Sequence, residues 1–360
     1  MNHKYRNVLV AFSLFAILFT QSCSDDPEPI KPGADGFFIV NEGGFGNGNT
    51  SVSFYDRATD QVTNDVFAAK NGRPLGDQAQ SMTVFEGKGY IIVQGSGKIE
   101  VIDAGDYSSI ATISDNIESP RYFVGISSAK AYVSDWGADG ITGTIKVIDL
   151  TSNTVTKTIP TGKGTNRMLR TGNSLYVTNA GGYDKDNTVK VIDIGSDAIT
   201  ATITVGDNPN SIQRDNLGNI WVASSGATAY NNDWTIDEAN STKGTISKIS
   251  PNNTEVLRLS VDEVTYGGPG NLSSSPDGKT LYYSYRGAVY SMSSTDTALP
   301  ATPFISKNYY GFSVDPFNGN LIGTVVPNFS SAGSIEILDA SGNVLDTHIT
   351  GIAPNGVAFK

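Results

Sequence analysis

The sequence predicts an all-β protein, a seven-bladed β-propeller with four antiparallel strands in each blade. The first observation is a repeated segment in which apolar and polar residues alternate, turn and alternate again, as in a β-hairpin. Its copies are Ser51–Val66, Lys98–Ile113, Thr144–Ile159, Thr188–Ile203, Thr245–Ser260 and Ser334–Ile349. In the first half of the chain they recur roughly every 45 residues, which is the period of a propeller blade.

A second recurring element precedes each hairpin. It is a short strand that usually contains an aromatic residue, as in Lys130–Ser134, Ser174–Thr178, Asn219–Ala223 and Thr280–Ser284. One further short apolar stretch lies before it, so each period holds four strands. A degenerate hairpin at Ala288–Met292 fills the longest gap between copies and brings the number of blades to seven.

The ends of the repeat array predict how the ring closes. The C-terminal segment Ala353–Lys360 resembles the opening strand of a blade, such as Asn208–Gln213, whereas the N-terminal blade begins with a second strand at Gly36–Val40. We therefore expect the C-terminal strand to join the N-terminal blade. Such closure removes free sheet edges, which otherwise favour aggregation.

An aspartate ends the third strand of most repeats: Asp56, Asp103, Asp149, Asp193 and Asp339. A row of carboxylates could indicate catalysis. However, aspartate also forms turns by accepting hydrogen bonds from nearby backbone N–H groups. We predict the turn role for this series.

The first 22 residues predict an export signal. Their basic start contains Lys4 and Arg6, and the apolar run Val8–Phe19 is too short and wrongly flanked to be a membrane span. Cys23 follows directly and is the only cysteine, which excludes a disulfide within the chain. Its position resembles the lipidation site of bacterial lipoproteins.

The segment after this cysteine suggests where the protein is displayed. Ser24–Glu28 is acidic and resembles the surface-export signal of Bacteroidetes lipoproteins. We therefore predict a lipoprotein signal peptide (residues 1–22), a lipidated Cys23 with a flexible tether (residues 23–35) and the propeller (residues 36–360), anchored at the cell surface in the outer membrane. An unmodified cysteine and an ordinary solvated tether are the alternatives.

The charge of the chain argues against some partners. The formal net charge is −11, and removal of a signal with two basic residues and no acidic residue gives −13. An acidic body repels nucleic acid and anionic membranes. We therefore expect no nucleic-acid partner and expect membrane attachment through acyl chains alone.

The residues for common catalytic chemistries are scarce. Beyond the signal, His348 is the only histidine, which makes Ser-His-Asp catalysis and histidine-ligated zinc improbable. The glycine-rich stretches do not precede predicted helices, so they do not indicate a dinucleotide or phosphate loop. The sequence therefore predicts a protein that is not an enzyme and has no cofactor or metal.

One enzymatic alternative remains open. Some propeller lactonases hold Ca²⁺ at the axis with side-chain oxygen atoms. Asn210, Asn271 and Asn355 lie at the starts of predicted innermost strands and Glu42 follows a second strand, which resembles such a ligand set. Arginines occupy the matching place in two other blades and oppose a calcium site.

Long loops are predicted on one face of the ring. In an up-and-down blade, the loop between the second and third strands lies on the same face as the connection between blades. These loops are the long ones: Asn41–Asn49, Ser134–Gly143, Asn179–Asn187, Ser224–Gly244 and Pro327–Gly333. Long loops on a rigid scaffold commonly form binding sites.

Aromatic and polar residues on this face are the candidate ligand-binding residues. Aromatic side chains beside amides and arginines can stack on a flat ligand and hydrogen-bond its rim. The aromatic candidates are Phe45, Trp136, Tyr183, Tyr230, Trp234, Tyr285, Tyr310 and Phe329, with Tyr309 beside them. The polar candidates, expected to surround the axis, are Gln80, Arg121, Arg167, Asn210 and Asn271. The alternative is that several rings pack against their own loops.

The KVID hairpins together with the LYVT and WVAS strands resemble the YncE-like seven-bladed propellers over residues 36–360. With its lipoprotein start, the chain also resembles surface propeller lipoproteins of Bacteroidetes. Some of those capture vitamin B12 and pass it to a TonB-dependent outer-membrane transporter, and others capture iron–siderophore complexes.

This resemblance implies a surface protein that captures a corrinoid for such a transporter. The matching motifs belong to the scaffold, so no binding residue is carried over. A ferric siderophore is the alternative cargo, and an adhesion or assembly propeller without a small ligand is the alternative class.

Overall fold

Seven antiparallel sheets form the body of the protein in the computed structural model, which describes residues 35–264 and 267–360. The predicted signal peptide, the lipidated Cys23 and nearly all of the predicted tether lie outside these residues. Within the described ranges, no helix combines the length and the apolar composition that crossing a bilayer requires.

The sheets follow one another along the chain as blades. Blade 1 contains β1 (Gly36–Asn41), β2 (Ser51–Asp56) and β3 (Gln61–Thr63), and the short helix α1 (Val66–Asn71) leads to blade 2. Blade 2 contains β4 (Ala79–Phe85), β5 (Lys88–Val93), β6 (Lys98–Asp103) and β7 (Ser109–Ile113). Blade 3 contains β8 (Pro120–Ser127), β9 (Lys130–Asp135), β10 (Thr142–Asp149) and β11 (Thr154–Lys163). Blade 4 contains β12 (Thr165–Thr171), β13 (Ser174–Asn179), β14 (Thr188–Asp193) and β15 (Ala198–Thr204).

The second half of the ring has the same plan. Blade 5 contains β16 (Pro209–Arg214), β17 (Ile220–Ser224), β18 (Thr245–Ile249) and β19 (Glu255–Ser260). Blade 6 contains β20 (Gly270–Ser274), β21 (Thr280–Tyr285) and β22 (Ala288–Ser293). Blade 7 contains β23 (Phe312–Val314), β24 (Leu321–Val325), β25 (Ala332–Leu338) and β26 (Val344–Ile352), and β27 (Pro354–Phe359) follows it. The seven-bladed propeller predicted from the repeats is confirmed.

The predicted closure of the ring is also confirmed. Strand β27 pairs antiparallel with β1 and becomes the innermost strand of blade 1, in the order β27-β1-β2-β3. Phe38 illustrates the result, since it lies opposite Ala358 on one side and Phe54 on the other. Both edges of β1 are therefore hydrogen-bonded within the sheet.

Blade 6 departs locally from the four-stranded plan. Its fourth, outermost strand is reduced to a single antiparallel bridge between Val289 and Ile305, with a Val289 N to Ile305 O distance of 2.9 Å. The connecting segment contains Pro300 and Pro303, which cannot donate a ladder hydrogen bond. This blade corresponds to the degenerate repeat seen in the sequence.

Apolar layers between neighbouring blades form the core. In β5, Ile91 packs toward blade 1, whereas Tyr90 and Ile92 pack toward blade 3. Successive side chains of a strand point to opposite faces, so a strand between two blades must be apolar on both faces. This requirement explains the continuous apolar runs of the second and third strands.

The aspartate series has the predicted turn role. The Oδ1 atoms of Asp103 and Asp149 accept hydrogen bonds from Gly105 N (2.7 Å) and Thr151 N (2.8 Å). Asp193 and Asp339 accept equivalent bonds two or three residues on. The carboxylates therefore fix the tight turns between the third and fourth strands.

Candidate ligand-binding face

Five long connections lie together on one face of the ring, which we call the long-loop face. They are residues 42–50, 136–141, 180–187, 225–244 and 326–331. Contacts join neighbouring loops: Tyr183 N donates to Gly140 O (3.1 Å), and the rings of Tyr310 and Phe329 meet edge to face at 5.8 Å. The loops of blades 3 and 4 are therefore in direct contact, and the 326–331 loop packs against Tyr310.

The polar residues expected at the axis do meet there. Gln80, Arg121, Arg167, Asn210 and Asn271 line three adjoining cavities of about 240, 350 and 270 Å³, which we call the axial mouth. Tyr122, Arg167 and Asn271 belong to all three cavities. Sequence reasoning missed Tyr122 and Gln94 as lining residues, and it considered Asn355 and Glu42 only as calcium ligands.

The axial asparagines also hold the ring together. Asn210 Nδ2 donates to Pro269 O (2.9 Å), and Asn271 Nδ2 donates to Tyr310 O (3.1 Å). Asn355 makes the same kind of bond to Ala79 O (2.9 Å). Each bond joins one innermost strand to the start of the next blade. The side-chain N–H groups of these asparagines therefore hold neighbouring blades together. Asn210 Oδ1 accepts a hydrogen bond from Ser211 Oγ (2.9 Å), whereas the side-chain oxygens of Asn271 and Asn355 remain to accept hydrogen bonds.

Arg121 is held in a polar and aromatic cage. Its Nη1 donates to Gln94 Oε1 (2.5 Å), and its Cζ lies 3.9 Å from the centre of the Trp136 ring. Its Nε is buried and has no hydrogen-bond partner among the described residues. Burial lowers the pKa of Arg121, although it remains a cation at neutral pH.

Arg167 stacks on the ring of Tyr122, with its Cζ 4.0 Å from the ring centre. The hydroxyl of Tyr122 accepts a hydrogen bond from Gln80 Nε2 (3.1 Å), which fixes the ring in turn. The Arg167 side chain is exposed to the mouth. A guanidinium that lies flat on a ring presents its N–H groups at its edge, where a ligand can accept them.

The opposite side of the mouth carries a carboxyl–tyrosine pair. Tyr310 Oη donates to Glu42 Oε2 (2.8 Å). Burial raises the pKa of Glu42 despite this bond and the nearby Arg121 charge. Burial and the Glu42 charge together raise the pKa of Tyr310, so its hydroxyl remains a donor at neutral pH.

Aromatic rings flank the axial mouth, and all of them except the half-buried Trp136 are exposed. Trp136 and Tyr183 meet edge to face at 6.1 Å, and Tyr183 is 78% exposed. Tyr310 and Phe329 form the second pair, and Phe45 is exposed on the 42–50 loop. These rings offer apolar contact at the sides of a polar mouth.

The remaining predicted aromatics are Tyr230 and Trp234, which lie on the 225–244 loop, and Tyr285. Tyr230 bridges to Ile236 within the 225–244 loop, and Trp234 at the tip of that loop is 84% exposed. Tyr285 lies partly buried against Tyr290 at 6.1 Å and lines the edge of the mouth.

The placement of Tyr309 on the face was wrong. Its ring is buried against the backbone of Gly323, and its hydroxyl donates to Glu336 Oε2 (2.7 Å). The neighbouring Tyr310 occupies the face instead, because successive residues of an extended segment point in opposite directions.

One group of possible metal ligands lies away from this face. Asp60, Asp346 and His348 are close together on the outer strands, with His348 Nε2 3.4 Å from Asp60 Oδ1. Tyr55 Oη donates to Asp60 Oδ1 (2.9 Å) and the Tyr55 ring packs on His348 at 5.3 Å, while His348 Nε2 is buried without a hydrogen-bond partner among the described residues.

Comparison with protein families assigns the chain to one family. A model described as "Domain of unknown function (DUF5074)" matches residues 35–344. The chain belongs to the DUF5074 family. No curated protein matches this DUF5074 propeller.

Several solved structures share the fold. A quinonprotein alcohol dehydrogenase-like protein of Bacteroides thetaiotaomicron is 17% identical, with a TM-score of 0.64 over 91% of this chain and 79% of that one. A functionally unknown protein of Desulfotomaculum acetoxidans is 15% identical, with a TM-score of 0.61 over 90% and 98%. Hydrazine synthase of Kuenenia stuttgartiensis is 17% identical, with a TM-score of 0.59 over 84% and 90%. At these identities the likeness extends to the propeller fold alone.

Proposed function

We propose that this protein captures a small organic nutrient of the corrinoid (vitamin B12) type on its long-loop face. The observation that carries the proposal is the pairing of aromatic rings, most of them exposed, with a polar axial mouth. Trp136 and Tyr183 lie on one side of that mouth and Tyr310 and Phe329 on another. Rings of this kind can contact the faces and edges of a macrocycle.

The size and chemistry of the mouth favour a large ligand that lies across it. Its three cavities, of about 240–350 Å³, are each too small to enclose a corrinoid. Corrinoids carry amide groups around the ring, and the free oxygens of Asn271 and Asn355 together with Gln80 are suitable partners for amides. The ligand would therefore rest on the rim and send one substituent into the axis.

The proposed setting is the cell surface. Cys23 would carry the acyl chains that anchor the protein in the outer membrane, and the captured ligand would pass to a TonB-dependent transporter. We propose that nucleic acid is not a partner of this protein, because the net charge of the chain is −11 and nucleic acid is also negatively charged.

We further propose a binding protein without catalytic activity. The calcium-lactonase alternative would need carboxylate and amide oxygens converging at the axis. Here the Glu42 carboxyl accepts a hydrogen bond from Tyr310, and the cations Arg121 and Arg167 share the mouth with it. A divalent cation among them would be repelled.

Calorimetric titration of the full-length protein in mild detergent with cyanocobalamin tests the capture proposal. We expect one-to-one binding that weakens about 100-fold or more when Tyr183, Tyr310 and Phe329, the exposed rings beside the mouth, are all replaced by alanine, because aromatic anchors dominate such interfaces. Leu217→Ala is the matched control, since Leu217 is 62% exposed on a turn of the opposite face. Unchanged affinity in the triple variant would reject the site.

A ferric siderophore is the second candidate, and a specific observation favours it. Two arginines face one carboxyl group in the cavity shared by Arg121, Arg167 and Glu42. A catecholate complex of iron is strongly anionic and suits such a positive centre. Titration with a panel of ferric siderophores decides between the cargoes. If neither cyanocobalamin nor any ferric siderophore binds, the result would instead favour an adhesion role.

A further inference from the structure

The axial mouth has a charge of opposite sign to that of the whole chain. The chain carries a net charge of −11, yet the described charged groups that line the mouth are three arginines and Glu42. One of these arginines, Arg286, is paired with Glu263 at 3.1 Å. Two arginines therefore face a single carboxyl group. A positive concave site in an acidic protein concentrates anions locally.

The Arg167 guanidinium is available to a ligand. Within the described part of the chain it has neither an ion pair nor a hydrogen bond, and its only partner is the Tyr122 ring beneath it. Exposed arginines elsewhere in the chain often have carboxylate partners, as Arg258 has Glu255 (2.7 Å). The position of Arg167 therefore combines fixed orientation with free donors.

Arg121 lies in the same cavity and lacks one partner. Its Nη1 is bound to Gln94, but its buried Nε has no acceptor among the described residues. Burial lowers the pKa of Arg121, and the nearby Arg167 charge acts in the same direction while Tyr122 and Glu42 oppose it. The positive charges of Arg121 and Arg167 therefore repel each other, and no carboxylate among the described residues forms an ion pair with both.

We propose that Arg121 and Arg167 form an oxyanion subsite at the floor of the axial mouth, which receives an oxyanionic group of the captured ligand. The subsite rests on the capture function proposed above and specifies the ligand chemistry. Oxyanions accept short, often bidentate hydrogen bonds from the edge of a guanidinium. A bound oxyanion also removes the repulsion between the two cations.

Inorganic phosphate is the first probe. The full-length protein in mild detergent is titrated at constant ionic strength, with chloride as the reference, and tryptophan fluorescence is followed because Trp136 lies directly against Arg121. We expect a saturable change that needs about tenfold more phosphate in Arg167→Met. Arg214→Met is the control, since Arg214 is exposed at the opposite end of β16. A phosphate response equal to that of chloride, or equal in Arg167→Met and the unmodified protein, overturns the subsite.

Ligand pairs identify the source of the oxyanion. If it is the phosphodiester of a complete corrinoid, Arg167→Met weakens cyanocobalamin about tenfold and leaves dicyanocobinamide, which lacks the phosphodiester, unchanged. If it is a catecholate, Arg167→Met weakens a ferric catecholate siderophore instead.

The two proposals fail in different ways. Corrinoid binding that is insensitive to both Arg167→Met and phosphate refutes the subsite and leaves capture standing. Phosphate binding that depends on Arg167, without binding of corrinoid or siderophore, supports the subsite and refutes capture of those cargoes.

Discussion

Replacing Glu100 with glutamine should destabilise the propeller in a pH-dependent way. The Glu100 side chain is fully buried in blade 2 and accepts hydrogen bonds from Arg73 Nη2 (2.6 Å), Ser109 Oγ (2.6 Å) and Lys98 Nζ (3.2 Å). Burial alone would raise its pKa, but these bonds outweigh burial and lower the pKa below its ordinary 4.5. The ionised carboxylate is therefore the stabilising form.

The expected magnitude follows from the geometry. Glutamine leaves both cations without a countercharge, and the loss of one partner of a buried ion pair costs about 3–5 kcal/mol. Because the Arg73 side chain is 41% exposed and can be rehydrated, we expect roughly 2–3 kcal/mol at pH 7.

A carboxyl group whose pKa is lower in the folded than in the unfolded protein stabilises the fold at pH values above its unfolded-state pKa. This stabilisation is lost as the pH falls through the folded-state pKa. The difference in the free energy of unfolding between the unmodified protein and Glu100→Gln should therefore decrease as the pH is lowered. It is smallest once Glu100 is protonated in both the folded and the unfolded protein. Urea unfolding at several pH values between 7 and 3 measures this difference. Glu86→Gln, at an exposed turn, is the control. A difference that is constant with pH would refute the reasoning.

Two further substitutions test the face and the closure. Gly140→Ala should displace the Tyr183 ring, since Gly140 and Gly172 both have positive φ but only a Cβ at Gly140 would come within 2.2 Å of that ring. Because the ring is 78% exposed and can move aside, the stability of Gly140→Ala should differ little from that of Gly172→Ala. Thermal unfolding measures that difference, and titration with ligand should detect weaker binding only for Gly140→Ala. Asp315→Asn should lower stability by about 2–3 kcal/mol, because Asp315 is buried and pairs with Arg57 (2.5 Å) across the closing blades. Asp277→Asn, in the equivalent turn of blade 6, should change stability far less because Asp277 is exposed, and equal losses would contradict the closure role.

The fold was predictable because the repeat carries it. In each hairpin copy, alternating apolar and polar residues predict two strands, and the aspartate at the end of the third strand marks the turn between them. The closing strand was predictable for the same reason, since Ala353–Lys360 matches the start of other blades. Where the repeat weakens, prediction weakens too, and the incomplete fourth strand near Ile305 and the helix Val66–Asn71 have no repeated counterpart.

The face could be predicted as a region but not in detail. Loop length placed Trp136 and Tyr183 correctly on one side of the ring, because topology decides which loops share a face. Their partners could not be predicted. The stacking of Arg121 on Trp136 and of Arg167 on Tyr122 joins residues of different strands, and a single sequence does not reveal such pairs.

The difference between Tyr309 and Tyr310 has the same origin. One residue separates a ring buried against Gly323 from a ring on the rim. The loop before β23 has no alternating pattern long enough to fix the direction of its side chains, so sequence could not distinguish the two tyrosines.

The pairing of β27 with β1 sets an order of events during folding. Strand β1 can form hairpin bonds with β2 early, but its other edge stays unpaired until the last strand of the ring is present. Asn355 must also reach Ala79 in blade 2 before the innermost ring is complete. Contacts so distant in sequence slow folding and leave apolar surface exposed in the meantime. Until β27 pairs with β1, the ring has an open strand edge, and any partner that binds the β1 edge before then competes directly with closure.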